Sequence, residues 1–219
     1  MKLLAAIVVL IVSVASIGHC WRNTAVPSKC FGREQVDQTV SAAAATEALF
    51  SCPTSQSGQF SCPTQTFTVG RDGHLSRVDV LVRRNWLTGE NPTTPLQMEI
   101  RKLDWGGEPE SRVHARTSVA PDRISDEAAY VAFHFTDSAP SVRKGDRLAI
   151  VLRTGSTEVL YDWCFLHGDP YAAGSMFQRE TYSRFQGWKQ HEQSDFVFTT
   201  FVSSVVSSVQ EDGLCSDCR

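Results

Sequence analysis

"YDWCFLHGDPYAAGS", residues Tyr161 to Ser175, decides how this chain is read. Tyr161, Trp163 and Phe165 alternate with Asp162, Cys164 and Leu166, the two-residue period of a β-strand. Gly168-Asp169-Pro170 then turns the chain, and Tyr171 opens the next extended segment. Asp162, Cys164, His167 and Asp169 fall within eight positions, which raises the question of a Cys–His–Asp centre. A catalytic cysteine acts as a thiolate, favoured by nearby positive charge or a helix N-terminus. A strand interior offers neither, and Cys–His pairs are assembled in space rather than from sequence neighbours. Cys164 therefore reads as a buried thiol or a disulfide partner.

The strand pattern continues in both directions. Val78, Val80 and Val82 alternate with Arg77, Asp79 and Arg83; Leu96, Met98 and Ile100 alternate with Gln97, Glu99 and Arg101. Val131, Phe133 and Phe135 alternate with Tyr130, Ala132 and His134, and Leu148, Ile150 and Leu152 form another set. Phe196, Phe198 and Phe201 mark a last strand. Alternation of this kind buries one face and leaves the other in water. Turn signals separate the runs: "GRDG" at Gly70, "TGENPTTP" at Thr88, "DWGGEPE" at Asp104, "RKGD" at Arg143 and "FQGWKQ" at Phe185. Many short strands without a long amphipathic helix predict an all-β fold, an antiparallel two-sheet jelly-roll β-sandwich. Only Ser41 to Phe50 has the propensity for a short helix.

The ends carry other signals. Lys2 and the apolar run Leu3 to Ala15, followed by Ser16-Ile17-Gly18, read as a secretory signal peptide cleaved before His19. That run is shorter than the roughly 20 apolar residues a membrane span takes. His19 is a poor residue before a lipoprotein cysteine at Cys20. The expected organisation is a signal peptide over 1–18, a cysteine-containing leader over 19–34, a sandwich domain over 35–203 and a cysteine-rich tail over 204–219. Losing the signal removes Lys2 and moves the formal charge from −3 to −4. This mildly acidic chain has no basic stripe to follow a phosphate backbone, so nucleic acid is excluded as the expected partner. A secreted, extracellular location without a membrane span is expected.

Seven cysteines in an oxidising compartment predict disulfides. Cys20, Cys30, Cys52, Cys62, Cys215 and Cys218 lie near the ends or in one early loop, as staples around a core. The repeated Ser-Cys-Pro-Thr at Ser51 and Ser61 suggests a Gly/Ser loop closed by Cys52–Cys62. One arrangement joins Cys20 and Cys30 to Cys215 and Cys218 and leaves Cys164 free; others remain open. "CSDC" at Cys215 has the spacing of a zinc or redox half-site, but neither further ligands of that quality nor a thioredoxin-like βαβ context accompanies it. No Asn-x-Ser/Thr acceptor is present: Asn91 is followed by proline, and Asn23 and Asn85 lack the hydroxyl residue.

The strand motifs also occur in a recognisable order: "QTFTVGRDGHLSRVDVLV", "LQMEIRK", "AYVAFHFTD", "VRKGDRLAIVLR", "YDWCFLHGDPYAAGS" and "DFVFTTFV". From about Val36 to Val202 the chain resembles a widespread family of secreted β-sandwich modules, mostly bacterial and often attached to other extracellular domains. The resemblance implies the sandwich fold and a likeness to carbohydrate-binding and cell-surface modules. The cysteine-rich ends lie outside the shared pattern.

No Gly-x-Ser-x-Gly elbow, His-Glu-x-x-His or phosphate loop is present, and no pair of acidic residues stands out as a glycosidase couple. Asp169, before proline, reads first as a cap on its own turn. Its metal reading is a calcium ligand shared with Asp195 or Asp162, without an EF-hand spacing to support it. Aromatics are the remaining signal. Trp105 and Trp188 sit in turn-like segments, with Tyr171 and Tyr182 near the latter. Such residues either close the ends of the core or, exposed, stack on a sugar face or a protein partner. The expectation is a secreted, non-enzymatic binding module without a cofactor, taking a glycan through loop aromatics. The alternatives are a structural matrix component that binds other secreted proteins and, third, a jelly-roll hydrolase.

Overall fold

The computed structural model describes residues 31–42, 50–53, 55–56, 59–60, 62–85, 93–136, 138–155, 160–180 and 187–205. The expected signal peptide, Cys20, Cys30, Cys215, Cys218 and Tyr182 lie outside the described residues, as does most of the Ser41–Phe50 segment. In chain order the strands are β1 (Phe31–Val40), β2 (Phe50–Pro53), β3 (Ser55–Gln56), β4 (Gln59–Phe60), β5 (Cys62–Thr68) and β6 (Gly73–Asn85). There follow β7 (Leu96–Leu103), β8 (Pro109–Val119), β9 (Ala129–His134), β10 (Ser141–Val142) and β11 (Arg147–Thr154). The last are β12 (Leu160–His167), β13 (Met176–Glu180), β14 (Gly187–His191), β15 (Ser194–Phe196) and β16 (Phe198–Val205). The described residues contain no α-helix; besides strands and loops they include a 3-10 turn at Pro121–Arg123. No helix among them is long and apolar enough to cross a membrane.

The strands form two large antiparallel sheets, a β-sandwich arrangement, and a small β3–β4 hairpin. One sheet runs β1-β16-β6-β12-β15, with β9 and β10 also on β6 and β2 on β12. The other runs β14-β13-β5-β11-β7-β8. The alternating apolar sets meet between them: Val78, Val80 and Phe133 from one side and Met98, Ile100 and Ile150 from the other are all fully buried. Burying side chains of this size stabilises by roughly 1.5–3 kcal/mol each, which is what holds the sheets together.

β12 departs from simple alternation. Tyr161 and Trp163 are buried, and so are Asp162 and Cys164. Trp163 stacks on Phe196 with centroids 4.2 Å apart and donates its Nε1–H to the Val197 carbonyl at 2.9 Å. Asp162 is satisfied by Arg83 Nε and Asn85 Nδ2, each at 3.0 Å. β2 pairs with one edge of the strand, and β6 and then β15 with the other, so both edges of its backbone are hydrogen-bonded.

Two expectations need correction. β1 begins at Phe31, inside the segment read as an irregular leader, because its ladder to β16 extends to Val205. The Ser-Cys-Pro-Thr repeat is not a plain loop: its halves start strands on different sheets, Cys52 opposite Trp163 and Cys62 opposite Arg179. Cys62 is a free, buried thiol, so the expected Cys52–Cys62 bridge is not formed here. Cys164 is likewise free and buried.

The "DPYAAGS" segment owes its shape to Gly174. A Cβ there would lie 1.9 Å from the Thr66 carbonyl oxygen, so only glycine admits the approach of this segment to β5. The approach is fixed by Thr66 N–H on the Ser175 carbonyl at 2.9 Å and Ser175 N–H on Thr66 Oγ1 at 2.8 Å.

Candidate functional site: the trough of the six-stranded sheet

The six-stranded sheet has a second face, turned away from the main core. Trp188 in β14, at one edge, donates its Nε1–H to the carbonyl of Pro109 in β8, at the other edge, at 3.2 Å. Neighbouring strands lie about 4.8 Å apart, so the edges of a flat six-stranded sheet are roughly 24 Å apart. One indole cannot bridge that distance. The sheet therefore curls around this face into a trough. Cys62, Ala149 and Val151 form its apolar floor, with Leu103 and Trp188 packed against them.

Alternation explains how the trough is lined. Met98 and Ile100 point to the main core, so Glu99 and Arg101 point into the trough. In the neighbouring strands Val151 stands opposite Glu99 on one side and Arg116 on the other. Glu99 is fully buried and saturated. Its Oε2 accepts from Arg101 Nε at 3.0 Å and also from Arg101 Nη2. Its Oε1 accepts from Arg116 Nη2 at 2.6 Å and Arg153 Nη1 at 3.3 Å. Burial pushes the Glu99 carboxyl up, but the guanidinium contacts outweigh burial and hold it below the ordinary glutamate value. Arg101 is buried, whereas the side chains of Arg116 and Arg153 are 54% and 42% exposed. These two guanidinium groups thus join the buried carboxylate to the solvent. Arg179 lies over the Trp188 ring, 5.8 Å from its centroid. Burial also raises the Cys62 thiol, which the charges of Arg153, Arg179 and Arg101 only partly offset. Burial thus favours the neutral thiol of this floor residue over the reactive thiolate.

The expected site residues separate into three groups. Trp188 is not at a loop tip; it is a half-buried strand residue that spans the trough. Trp105 is fully exposed in the turn between β7 and β8. There Asp104 Oδ1 accepts the Glu108 N–H at 2.9 Å, and Gly107 takes a left-handed φ of 85°. A shallow depression of about 380 Å³ beside it is lined by Leu103, Asp104, Trp105 and Glu110. Since Trp188 packs on Leu103 and bonds to Pro109 of the same hairpin, the structure brings both tryptophans to one end of the trough. Tyr171 goes elsewhere. It is a core residue, edge-on to Phe198 at 5.4 Å, and its hydroxyl donates to Gln38 Oε1 at 3.0 Å and accepts from Thr68 N–H at 3.2 Å. Of the two roles open to it, Tyr171 takes the one in the core, because the Gly174 approach draws the segment inward.

Asp169 and Asp195 do come together. Asp169 sits in the β12–β13 turn at a left-handed φ of 52°. Asp195 is fully buried; its Oδ1 accepts from Gln65 Nε2 at 2.8 Å and its Oδ2 from Tyr171 N–H at 2.9 Å. Burial pushes the Asp195 carboxyl up to about 6, against the pull of these donors, and the neighbouring Asp169 adds to the rise. Among the described residues no group of three or more His, Cys, Asp or Glu side chains is arranged to hold a metal.

The arginine–glutamate cluster was hidden in the sequence. "LQMEIRK" alternates cleanly, and the polar members of such a strand are read as a solvent face. An open cleft of about 570 Å³ between β8 and β9, bordered by Arg123, Tyr130 and His134, was not anticipated either. No family model and no curated protein matches this chain.

Proposed function

We propose that this chain is a secreted, non-enzymatic binding module on a jelly-roll β-sandwich, and that it recognises a glycan at the tryptophan end of the trough. The observation that carries this reading is that both tryptophans belong to the surroundings of one hairpin: Trp105 is fully exposed at its turn, and Trp188 is held at its base by Pro109 and Leu103. A fixed aromatic with an exposed one beside it, among hydrogen-bonding side chains, suits a ring that is apolar on its face and polar at its edge. The strand order that resembles secreted carbohydrate-binding-like modules supports the same reading. A binding role is favoured over hydrolysis because Asp195, the carboxyl with the strongest upward shift, is buried with both oxygens engaged by protein donors. The two carboxyl groups of a glycosidase must instead flank an open cleft.

The test is a glycan array with the mature protein beside Trp105→Ala and Trp188→Ala. Saccharide binding that falls in Trp105→Ala, with an unchanged melting temperature, is the expected result. Well-folded protein that binds no saccharide overturns the reading and moves weight to the matrix alternative.

A further inference from the structure

Glu99 organises more positive charge than it neutralises. Arg101, Arg116 and Arg153 all contact this one carboxylate, and Arg179 stands over Trp188 on the same face. Among the described residues Glu99 is the one carboxylate ion-paired with these arginines. Three guanidinium groups thus share one carboxylate, with Arg179 as a fourth on the same face, in a chain whose formal charge is −3. A guanidinium has five N–H donors in a rigid fork, and Arg116 and Arg153 each place one nitrogen on Glu99 while remaining about half exposed. The buried carboxylate thus tethers both forks by one nitrogen each while about half of each side chain stays exposed. Holding a flexible cation in its binding geometry before the ligand arrives reduces the ordering cost of association.

We infer that the trough takes an acidic saccharide, a chain carrying carboxylate or sulfate groups, with Arg116 and Arg153 gripping the anionic substituent. This inference rests on the glycan reading above and names the class of glycan. Arg groups recognise planar carboxylates and tetrahedral sulfates through paired N–H donors. Arg179, held over the Trp188 ring, adds a further cation on this face. Glu99 has the role of positioning residue: it touches the arginines and not the ligand.

The experiment is a titration of the mature full chain with three probes of matched length: a sulfated, uronate-containing heparin hexasaccharide, neutral maltohexaose, and poly-glutamate. Arg116→Gln and Arg153→Gln are measured beside it, with circular dichroism as a check on folding; both sites are partly exposed, so the fold is expected to survive. The expected result is binding of the heparin fragment that weakens steeply with salt and falls roughly tenfold in each arginine variant. Equal or preferential binding of maltohexaose overturns the acidic class while leaving the glycan reading standing. Equal or preferential binding of poly-glutamate overturns the saccharide choice. Heparin binding unchanged in both variants overturns the assigned grip. Binding of none of the three overturns the inference, and the neutral members of the array decide the broader reading separately.

Discussion

Gln65 and Asp195 join the two sheets through a buried hydrogen bond of 2.8 Å, from Gln65 Nε2 in β5 to Asp195 Oδ1 in β15. Gln65 Oε1 returns the link by accepting the Phe196 N–H at 2.7 Å, so one side chain satisfies two groups of the opposite sheet. Replacing Gln65 with Leu leaves both without their partner. The expected loss is about 2–4 kcal/mol, the cost of unsatisfied buried polar groups, read as a lower urea midpoint. A loss below about 1 kcal/mol would mean that water replaces the amide.

The same carboxyl makes stability depend on pH. Asp195 is raised from 3.8 to about 6, so the folded state binds the proton more tightly than the unfolded chain. Its contribution is fully present below pH 3.8 and is lost as pH rises through about 6, on the order of 3 kcal/mol at most. Asp169→Asn removes a neighbouring charge that raises this group, and asparagine tolerates the left-handed backbone there. The variant should gain stability at pH 7 and show a flatter slope between pH 4 and pH 6. Parallel curves for variant and parent in urea titrations across that range would refute the coupling.

Glu99 pulls the other way. Its lowered value means that its stabilisation is present above the unfolded value of 4.5 and fades as pH falls through the folded one. Glu99→Gln removes the carboxylate from three guanidinium groups, of which Arg101 is buried. The expected cost is about 3–5 kcal/mol at pH 7, much of it from the uncompensated Arg101. Denaturation of Glu99→Gln at pH 7 and pH 3 should show a smaller difference from the parent at the acid end.

The two tryptophans should separate stability from binding. Trp188→Phe keeps a ring but loses the bond to Pro109, at a cost of about 1 kcal/mol together with some loss of floor packing. Trp105 is fully exposed, so Trp105→Ala should leave the melting temperature within error while weakening ligand binding. A large stability loss in Trp105→Ala would contradict its placement in solvent.

Gly174→Ala tests the inward course of the segment that follows Pro170. The added methyl would meet the Thr66 backbone, which cannot swing aside as a side chain can. A loss of several kcal/mol is expected, with the released Tyr171 becoming accessible to quenchers in fluorescence. Near-normal stability would show that the segment can shift without cost.

Much of the core was legible in the sequence, because Val78, Val80 and Val82, or Met98 and Ile100, alternate as a strand with one buried face should. Alternation tells which residues share a face. It does not tell how a sheet curves, and the curl between Trp188 and Pro109 turned the polar partners of Met98 and Ile100 into a second interior. Glu99 and Arg101 looked like solvent residues for that reason. Whether Tyr171 closes the core or faces a ligand stayed open for another reason: the contact between Gly174 and Thr66 is set by residues more than a hundred positions apart, which no local pattern records. Asp169 reads first as a cap on its own turn, with Asp195 or Asp162 as a partner only in its calcium reading; Asp169 does lie beside Asp195, whose two oxygens accept from Gln65 and Tyr171.

β1 finds its ladder partner in β16, and the hydroxyl groups of Thr39 and Thr199 meet at 2.9 Å across 160 residues of chain. β16 also fills the place between β1 and β6. During synthesis the first of these strands therefore waits for the last, and that side of the sheet cannot close until Val205 has been made. Bringing such distant segments together before any contact rewards them makes closure slow. A nascent chain stopped short of Phe198 carries two open edges, on β1 and on β6, and would be a client for chaperones rather than a smaller version of the same protein.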